Sequence, residues 1–335
     1  MLKRDYFINR IKDINQDTFT DLAIELFHYQ YNYNPIYKQY VDYLNIDIEQ
    51  IHSIDSIPFL PIQFFKKYQI QTTEPDFKED EESIFIFESS KTTNQISSKH
   101  YIRDLSLYHE LARKHFNKYF DDSFAILALL PSYLERGNSS LVSMARHFIE
   151  QSTSKHSGFF LDDYEELRKS IEKCQHEKTK ILLLGVSFAL LDFGEQFNGS
   201  AEFLHVMETG GMKGRRKELT KKELHQLIQQ YYGVQKVYSE YGMTELLSQA
   251  YSIGEEKYWN ANTMKVILQE FNDPFKKEEI GKRGIMHIID LANIDSCAFI
   301  ATEDIGRLHK DASFEVLGRL DASEIRGCNL MFEEI

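Results

Sequence analysis

The hydrophobic pattern of the first eighty residues predicts helices followed by an irregular connection. Apolar residues recur at helical spacing over residues 19–31 and 36–44, and Pro35 is placed to begin the second helix. Residues 57–68 combine two prolines with a dense apolar patch, which indicates an irregular, buried connection. Residues 78–82 carry an acidic run typical of a solvated loop.

From residue 84 onward, apolar strand patterns alternate with amphipathic helix patterns. This alternation indicates an α/β fold whose mostly parallel sheet is covered by helices on both faces. The predicted strands are 84–87, 124–130, 181–185, 203–207 and 234–238, and the predicted helices are 104–119, 139–151, 164–174 and 220–232.

After residue 264 the pattern changes again. We expect the strands to become shorter and the helices to stop, which indicates a smaller β subdomain. The chain therefore divides, by prediction, into a helical region packed on the core (1–80), an α/β core (81–263) and a small β subdomain (264–335).

Length, charge and cysteine content narrow the class of protein. The chain has 335 residues and a formal net charge of -13, which argues against nucleic acid as the main partner. No apolar run is long enough to predict a transmembrane helix, and the N-terminal residues are too polar for a signal peptide. Three widely spaced cysteines fit neither a disulfide framework nor a zinc site. We expect a soluble, cytoplasmic protein.

The segment of residues 238–245 reads Y-S-E-Y-G-M-T-E and follows a predicted strand. The hydroxyl of Thr244 can donate to a phosphate oxygen, and the carboxylate of Glu245 can bind Mg²⁺ through oxygen. The other interpretation is a buried strand followed by an ordinary turn and helix cap.

A polar loop follows the first predicted core strand. Residues 88–100 read E-S-S-K-T-T-N-Q-I-S-S-K-H, and their hydroxyls, with Lys91, suit a phosphate grip. A Ser/Thr-rich surface turn is the alternative.

An acid and an arginine occur late in the chain. Asp304 could accept hydrogen bonds from the two hydroxyls of a ribose, and Arg319 could donate nearby. The alternative is a pair of β-turns, in which Gly306 and Gly318 supply the turn residues.

Taken in order, these segments resemble the adenylate-forming superfamily of acyl- and aryl-CoA synthetases and luciferases. The chain is most similar there to the LuxE-type acyl-protein synthetases, which are related to phenylacetate-CoA ligases. The resemblance runs from about residue 57 to the C-terminus and rests on I-P-F-L-P-I-Q-F-F-K-K, S-S-K-T-T-N, E-T-G-G-M-K, Y-G-M-T-E, T-E-D-I-G and L-G-R-L-D-A-S-E-I-R-G. It implies the core fold of adenylate-forming enzymes, without their usual C-terminal lid domain.

The resemblance also implies a role for each matching residue. Thr244 would contact the α-phosphate of ATP, Glu245 would bind Mg²⁺, and Tyr241 would stack near the adenine. Gly210 and Gly211 would let the adenine lie against the backbone.

The remaining nucleotide contacts follow from the same resemblance. Gly242 would belong to the nucleotide site, and Asp304 and Arg319 would hold the ribose. The residues that would grip the β- and γ-phosphates are Ser89, Ser90, Thr92 and Thr93.

The sequence departs from the superfamily pattern in its phosphate loop, where Lys91 and Asn94 replace glycines. Without a lid lysine, Lys91 or Lys213 would supply positive charge at the phosphates. Lys213 opens a basic cluster, residues 213–217, whose alternative interpretation is a solvated loop. Cys328 stands at the place of the cysteine that accepts the acyl group in LuxE-type proteins.

These expectations define an AMP-forming acid–thiol ligase. It would use ATP and Mg²⁺ to activate a fatty or aryl carboxylic acid and pass the acyl group to a thiol, such as a protein cysteine. An acyl reductase, an acyltransferase or a carrier protein is a candidate partner. The alternatives are an acyl- or aryl-CoA ligase and a non-catalytic acyl- or nucleotide-binding subunit.

Overall fold

A computed structural model of the chain describes residues 2–75, 84–89, 96–131, 138–212, 215–217, 219–273 and 275–320. They form two compact units. Unit 1 holds the described residues of Met1–Phe64, Gln71–Pro75 and Thr263–Ile335, and unit 2 holds those of Phe65–Ile70 and Asp76–Asn262. The division into three consecutive segments stays a prediction.

The helices within the described ranges are α1 (Arg4–Lys12), α2 (Gln16–Tyr33), α3 (Pro35–Tyr43), α4 (Phe64–Lys67), α5 (Leu105–Phe116), α6 (Ser140–Gln151), α7 (Tyr164–His176), α8 (Ser187–Phe197) and α9 (Lys221–Tyr232). None of the helices in these ranges has the length and apolar character that a membrane span requires.

The strands in the same ranges are β1 (Leu60–Pro61), β2 (Phe85–Glu88), β3 (Lys99–Ile102), β4 (Ala125–Leu129), β5 (Gly158–Phe159), β6 (Ile181–Val186), β7 (Leu204–Thr209), β8 (Val237–Tyr241), β9 (Ala250–Ser252), β10 (Tyr258–Asn260), β11 (Met264–Gln269), β12 (Arg283–Asp290), β13 (Phe299–Leu308) and β14 (Phe314–Arg319).

Unit 2 is built on a parallel sheet with the strand order β5-β4-β6-β7-β8. Strand β9 pairs antiparallel with β8, and β10 pairs antiparallel with β9. Every residue of β4, β6 and β8 is buried, as expected for strands covered on both faces. The predicted α/β class with a mostly parallel sheet is confirmed.

The first predicted core strand does not belong to this parallel sheet. Strand β2 pairs with β3 in a separate two-stranded antiparallel sheet, and Phe87 lies opposite His100. Periodicity over four residues does not distinguish a strand of a hairpin from a strand of a parallel sheet, so this prediction was wrong. The polar loop thus connects the two strands of a hairpin.

Unit 1 combines the N-terminal helices with the C-terminal strands. Strands β11 to β14 form an antiparallel sheet in chain order, and β1 pairs parallel with β13. The buried side chain of Gln30 in α2 donates to the carbonyl groups of Asn293, Ile294 and Ser296, and it accepts from the backbone of Ala298. The amide of Gln30 therefore fixes α2 against the connection between β12 and β13.

The expectation of shorter strands after residue 264 was wrong. Strand β12 has 8 residues and β13 has 10. Polar residues and Gly306 suggested an early strand end, but β13 continues past them, and its register with β14 shifts by one residue, Leu317, between Ile305 and Gly306. Helix α8 was also missed, because its apolar residues surround most of its circumference and lack a polar stripe.

Candidate active site

The Y-G-M-T-E segment begins at the end of β8. Tyr241 is the last residue of the strand, and Thr244 and Glu245 follow three and four residues later. Glu245 is buried, with 5% of its surface exposed. The strand begins and ends three residues later than predicted, and its end was missed because Ser239 and Glu240 look like loop residues but are buried in the sheet.

The carboxyl group of Glu240 connects two predicted nucleotide segments. It accepts a hydrogen bond from the hydroxyl of Thr209, its neighbour across β7 and β8. Burial raises the pKa of Glu240 to about 7, against the lowering effect of this hydrogen bond. A Cβ atom added to Gly242 would lie 2.5 Å from Oε1 of Glu240, so the position of the carboxyl group favours glycine there.

Gly210 and Gly211 continue the chain after β7. Gly210 has a φ of 67°, a conformation that suits glycine, and its carbonyl oxygen accepts from Oγ of Ser187 at 2.9 Å. Apart from its chain neighbours, none of the described residues has a heavy atom within 4 Å of where a Cβ of Gly211 would stand. The backbone is therefore open on that side, which suits a flat ring lying against it.

A buried ionic network includes Glu208, the first residue of the glycine segment. Nζ of Lys221 donates to Glu208 at 2.5 Å and to the hydroxyl of Tyr258 at 2.9 Å. Burial would raise the pKa of Glu208, but the charge of Lys221 and hydrogen bonds from its neighbours hold that pKa at about 2. Ser187 lies 3.3 Å from the same carboxylate. Sequence reasoning missed this network, although a glutamate inside an apolar strand predicts a buried cationic partner.

The hairpin of β2 and β3 brings His100, at the C-terminal end of the polar loop, to the Y-G-M-T-E segment. The backbone nitrogen of Ser89 donates to the carbonyl of Ser98 at 3.1 Å, and the nitrogen of Ser98 donates to Oγ of Ser89 at 2.9 Å. Nδ1 of His100 lies 2.9 Å from the carbonyl oxygen of Thr244. The ends of the loop are thus held close to Thr244.

Asp304 and Arg319 lie together in unit 1. They are register partners on β13 and β14, and Nε of Arg319 lies 3.3 Å from Oδ1 of Asp304. Asp304 is 8% exposed, whereas the side chain of Arg319 is 58% exposed. The alternative of two β-turns is wrong, since both residues belong to strands.

Several predicted residues lie outside the described part of the chain: Ser90, Lys91, Thr92, Thr93, Lys213 and Cys328. Within the basic cluster, Arg216 forms ion pairs with Asp192 and Glu195 of α8, and Arg215 lies 4.7 Å from the ring centre of Phe188. These two arginines contact α8, and both interpretations of the basic cluster stay predictions.

The described residues contain no group of three or more His, Cys, Asp or Glu side chains that could hold a metal ion. Mg²⁺ commonly binds one or two carboxylates together with substrate phosphates and water. A single carboxylate such as Glu245 fits that mode of binding.

Solved structures place the fold in a known class. The chain is similar to 2-hydroxyisobutyryl-CoA ligase in an open conformation, with a TM-score of 0.63 and 13% identity over 90% of this chain and 70% of the ligase. The same ligase in its postadenylation state is similar with a TM-score of 0.64 and 12% identity, over 90% of this chain and 68% of the ligase. The fold is that of the adenylate-forming enzymes.

Sequence comparison defines the family within that class. The family described as acyl-protein synthetase, LuxE, matches residues 9–335, so the chain belongs to this family. It is also similar to the long-chain-fatty-acid–luciferin-component ligase of Aliivibrio fischeri, with 22% identity over 94% of this chain and 87% of that protein. The resemblance inferred from the motifs is confirmed, while the roles of individual residues stay predictions.

Proposed function

We propose that this protein uses ATP to activate a carboxylic acid as an acyl-adenylate and then transfers the acyl group to a thiol. One observation carries the proposal. The glycine segment, the Y-G-M-T-E segment and the base of the polar loop are joined in unit 2 by the Thr209–Glu240 and His100–Thr244 hydrogen bonds. The name of the Aliivibrio fischeri relative makes a long-chain fatty acid the first candidate substrate.

The proposed reaction consists of two nucleophilic substitution steps. In the first, a carboxylate oxygen attacks the α-phosphorus of ATP, and the bond to pyrophosphate breaks with its electron pair leaving on pyrophosphate. In the second, a thiolate attacks the acyl carbon, and the carbon–oxygen bond to AMP breaks. The protein contributes mainly by orienting the reactants and stabilising charge.

Four residues of the Y-G-M-T-E segment have a part in this proposal. The hydroxyl of Thr244 donates to the α-phosphate, and Tyr241 and Gly242 lie at the nucleotide. Glu245 binds Mg²⁺, which neutralises phosphate charge when bound. Lys91 adds positive charge at the phosphates.

The remaining nucleotide contacts are assigned by chemistry and family resemblance. Gly211 offers its open backbone to the adenine, next to the anchored carbonyl of Gly210. The Asp304–Arg319 pair supplies an acceptor and a donor for the ribose hydroxyls. Ser89 donates to the phosphates from the end of β2.

The state of two thiols favours Cys328 as the protein acceptor. Cys174 and Cys297 are buried, and burial raises the pKa of their thiols to about 11 and about 12. Both are therefore poor sources of thiolate at neutral pH. Cys328, the third cysteine of the chain, matches the acceptor position of the family.

Exchange of labelled pyrophosphate into ATP tests the first step. We expect exchange that depends on an added acid, measured with fatty acids of increasing chain length and with aryl acids. If no acid supports exchange, the chain does not form adenylates. That result would favour the alternative of a non-catalytic acyl- or nucleotide-binding subunit.

Labelling with a radioactive acid tests the second step. With ATP and a competent acid, we expect a protein label that hydroxylamine removes and that Cys328→Ser abolishes. Cys174→Ser is the matched control and should retain the label. Thioester formed on added CoA without a protein label would favour the CoA ligase, and a label passed on to a carrier protein or reductase would identify the partner.

A further inference from the structure

We infer that His100 is a positioning residue that couples the base of the polar loop to Thr244 and Glu245, the residues assigned to the α-phosphate and to Mg²⁺. This inference rests on the proposed adenylation and deepens it. His100 lies outside the family motifs S-S-K-T-T-N and Y-G-M-T-E.

The imidazole of His100 has a defined protonation state. Its Nδ1 lies 2.9 Å from the carbonyl oxygen of Thr244, and a carbonyl oxygen only accepts, so Nδ1 carries a hydrogen and donates it. Burial lowers the pKa of His100 to about 4, against the raising effect of this hydrogen bond. The ring is therefore neutral at physiological pH.

The ring is also held on its other sides. His100 is 1% exposed, and its ring packs edge-on against Phe65 with 5.7 Å between centroids. Its backbone lies in β3 opposite Phe87 of β2. One pair further along, towards the loop, Glu88 pairs with Lys99, and the Ser89–Ser98 hydrogen bonds then close the hairpin.

This arrangement couples the position of the hairpin base to the position of the Thr244 carbonyl. Because the ring has no room to turn, a movement of the hairpin base either carries the Thr244 carbonyl with it or breaks the hydrogen bond. The peptide after that carbonyl leads directly to Glu245, whose carboxylate is assigned to Mg²⁺. A contact of Ser89 with phosphate would thus be coupled to the orientation of Thr244 and Glu245.

Two substitutions separate this role from simple packing. In His100→Asn the amide nitrogen occupies nearly the place of Nδ1 and keeps the donor, whereas His100→Gln moves the amide further out, to the place of Nε2. Both variants lose the ring and its contact with Phe65. We expect similar losses of thermal stability for the two, but kcat of pyrophosphate exchange should fall about tenfold only in His100→Gln, the scale of one hydrogen bond. The KM for the acid should stay unchanged in both.

A second buried histidine, which bonds a carbonyl through Nε2 and not through Nδ1, provides a control. His115 in α5 is 3% exposed, and its Nε2 lies 3.3 Å from the carbonyl of Trp259. His115→Asn removes that hydrogen bond, and it should lower stability without changing kcat. Equal kcat values for His100→Asn and His100→Gln would overturn the inference.

A measurement without substrate keeps the inference separate from the proposed function. Hydrogen–deuterium exchange of peptides covering residues 242–248 should be faster in His100→Gln than in wild type and His100→Asn. If exchange is the same in all three, His100 does not position the segment, whether or not the protein forms adenylates. If wild type shows no pyrophosphate exchange but these peptides respond as expected, only the proposed function fails.

Discussion

The hydroxyl of Thr209 donates to the buried carboxyl group of Glu240 across neighbouring parallel strands. Two consequences follow from this contact. It holds the ends of β7 and β8 in register beside Gly210 and Tyr241, and it leaves a carboxyl group in the core whose pKa burial raises to about 7.

The raised pKa of Glu240 predicts a pH-dependent stability. Between the ordinary pKa of 4.5 and the folded value of about 7, the folded protein keeps a proton that the unfolded chain releases. Stability from this group is therefore lost as the pH rises through that window. Glu240→Gln stays neutral and can still accept from Thr209. Its free energy of unfolding should therefore exceed that of wild type by an amount that grows from about pH 5 to about pH 8 and reaches roughly a few kcal/mol.

Urea unfolding at a series of pH values measures this difference. The exposed Glu255 supplies the control, because Glu255→Gln should leave the pH dependence as it is in wild type. Parallel stability curves for Glu240→Gln and wild type would show that Glu240 is ionised in the folded protein.

Gly211→Ala tests whether the open backbone faces the adenine. Beyond its chain neighbours, the added methyl group meets no atom of the described residues within 4 Å, so the variant should fold with wild-type stability. It would occupy space assigned to the nucleotide, and the KM for ATP should rise about tenfold or more, the cost of a steric conflict of 1 to 3 kcal/mol. Gly158→Ala is the matched control, since its methyl group also meets nothing within 4 Å but lies in β5. An unchanged KM in Gly211→Ala would place the adenine elsewhere.

Lys221→Met should destabilise the protein strongly. Glu208 is 1% exposed and Lys221 is 25% exposed, so the substitution leaves a charge uncompensated inside the protein. The expected loss is about 3 kcal/mol, at the lower end for a broken buried pair because Lys221 is partly exposed. The double variant Glu208→Gln/Lys221→Met should recover part of the loss in urea unfolding. A single variant as stable as wild type would contradict the structural role of the pair.

Asp304→Asn tests the assignment of ribose binding. Wild type should prefer ATP to 2′-deoxy-ATP, and the variant should lose most of that preference, because it no longer offers a charged acceptor to the ribose. The KM for ATP should rise about tenfold while that for 2′-deoxy-ATP changes little. Glu315→Gln is the control, since Glu315 pairs with Arg307 across the same two strands at 3.0 Å. Equal preference in wild type and Asp304→Asn would remove Asp304 from the ribose site.

Glu245→Gln tests the assigned Mg²⁺ ligand. The amide keeps the volume of this buried side chain but loses the charge that binds the cation. We expect pyrophosphate exchange to need far more Mg²⁺ and its maximal rate to fall by about tenfold or more. Thermal unfolding checks that the variant is folded, and an unchanged Mg²⁺ titration would argue against the assignment.

The sequence was most informative where the hydrophobic pattern was long and regular. Helix α2 and the buried strands β4 and β6 lie within a few residues of their predicted bounds, because their apolar residues face the core at the period of the element. The juxtaposition of Asp304 and Arg319 was also anticipated, although through family resemblance rather than periodicity.

Features that depend on contacts distant in sequence were not predicted. The polar residues Ser239 and Glu240 concealed the true end of β8, because their partners His225 and Thr209 come from other elements. The pairing of His100 with Thr244 joins residues 144 positions apart, and no local pattern reports such a contact.

The composition of unit 1 has a consequence for the order of folding. Gln30 in α2 needs the backbone of residues 293–298 to satisfy its buried amide, so this helix cannot complete its packing until the late strands have been synthesised. Unit 2, by contrast, is almost continuous in the chain. During synthesis on the ribosome, unit 2 can therefore fold first while the N-terminal helices wait for their partners, exposed to chaperones in the meantime.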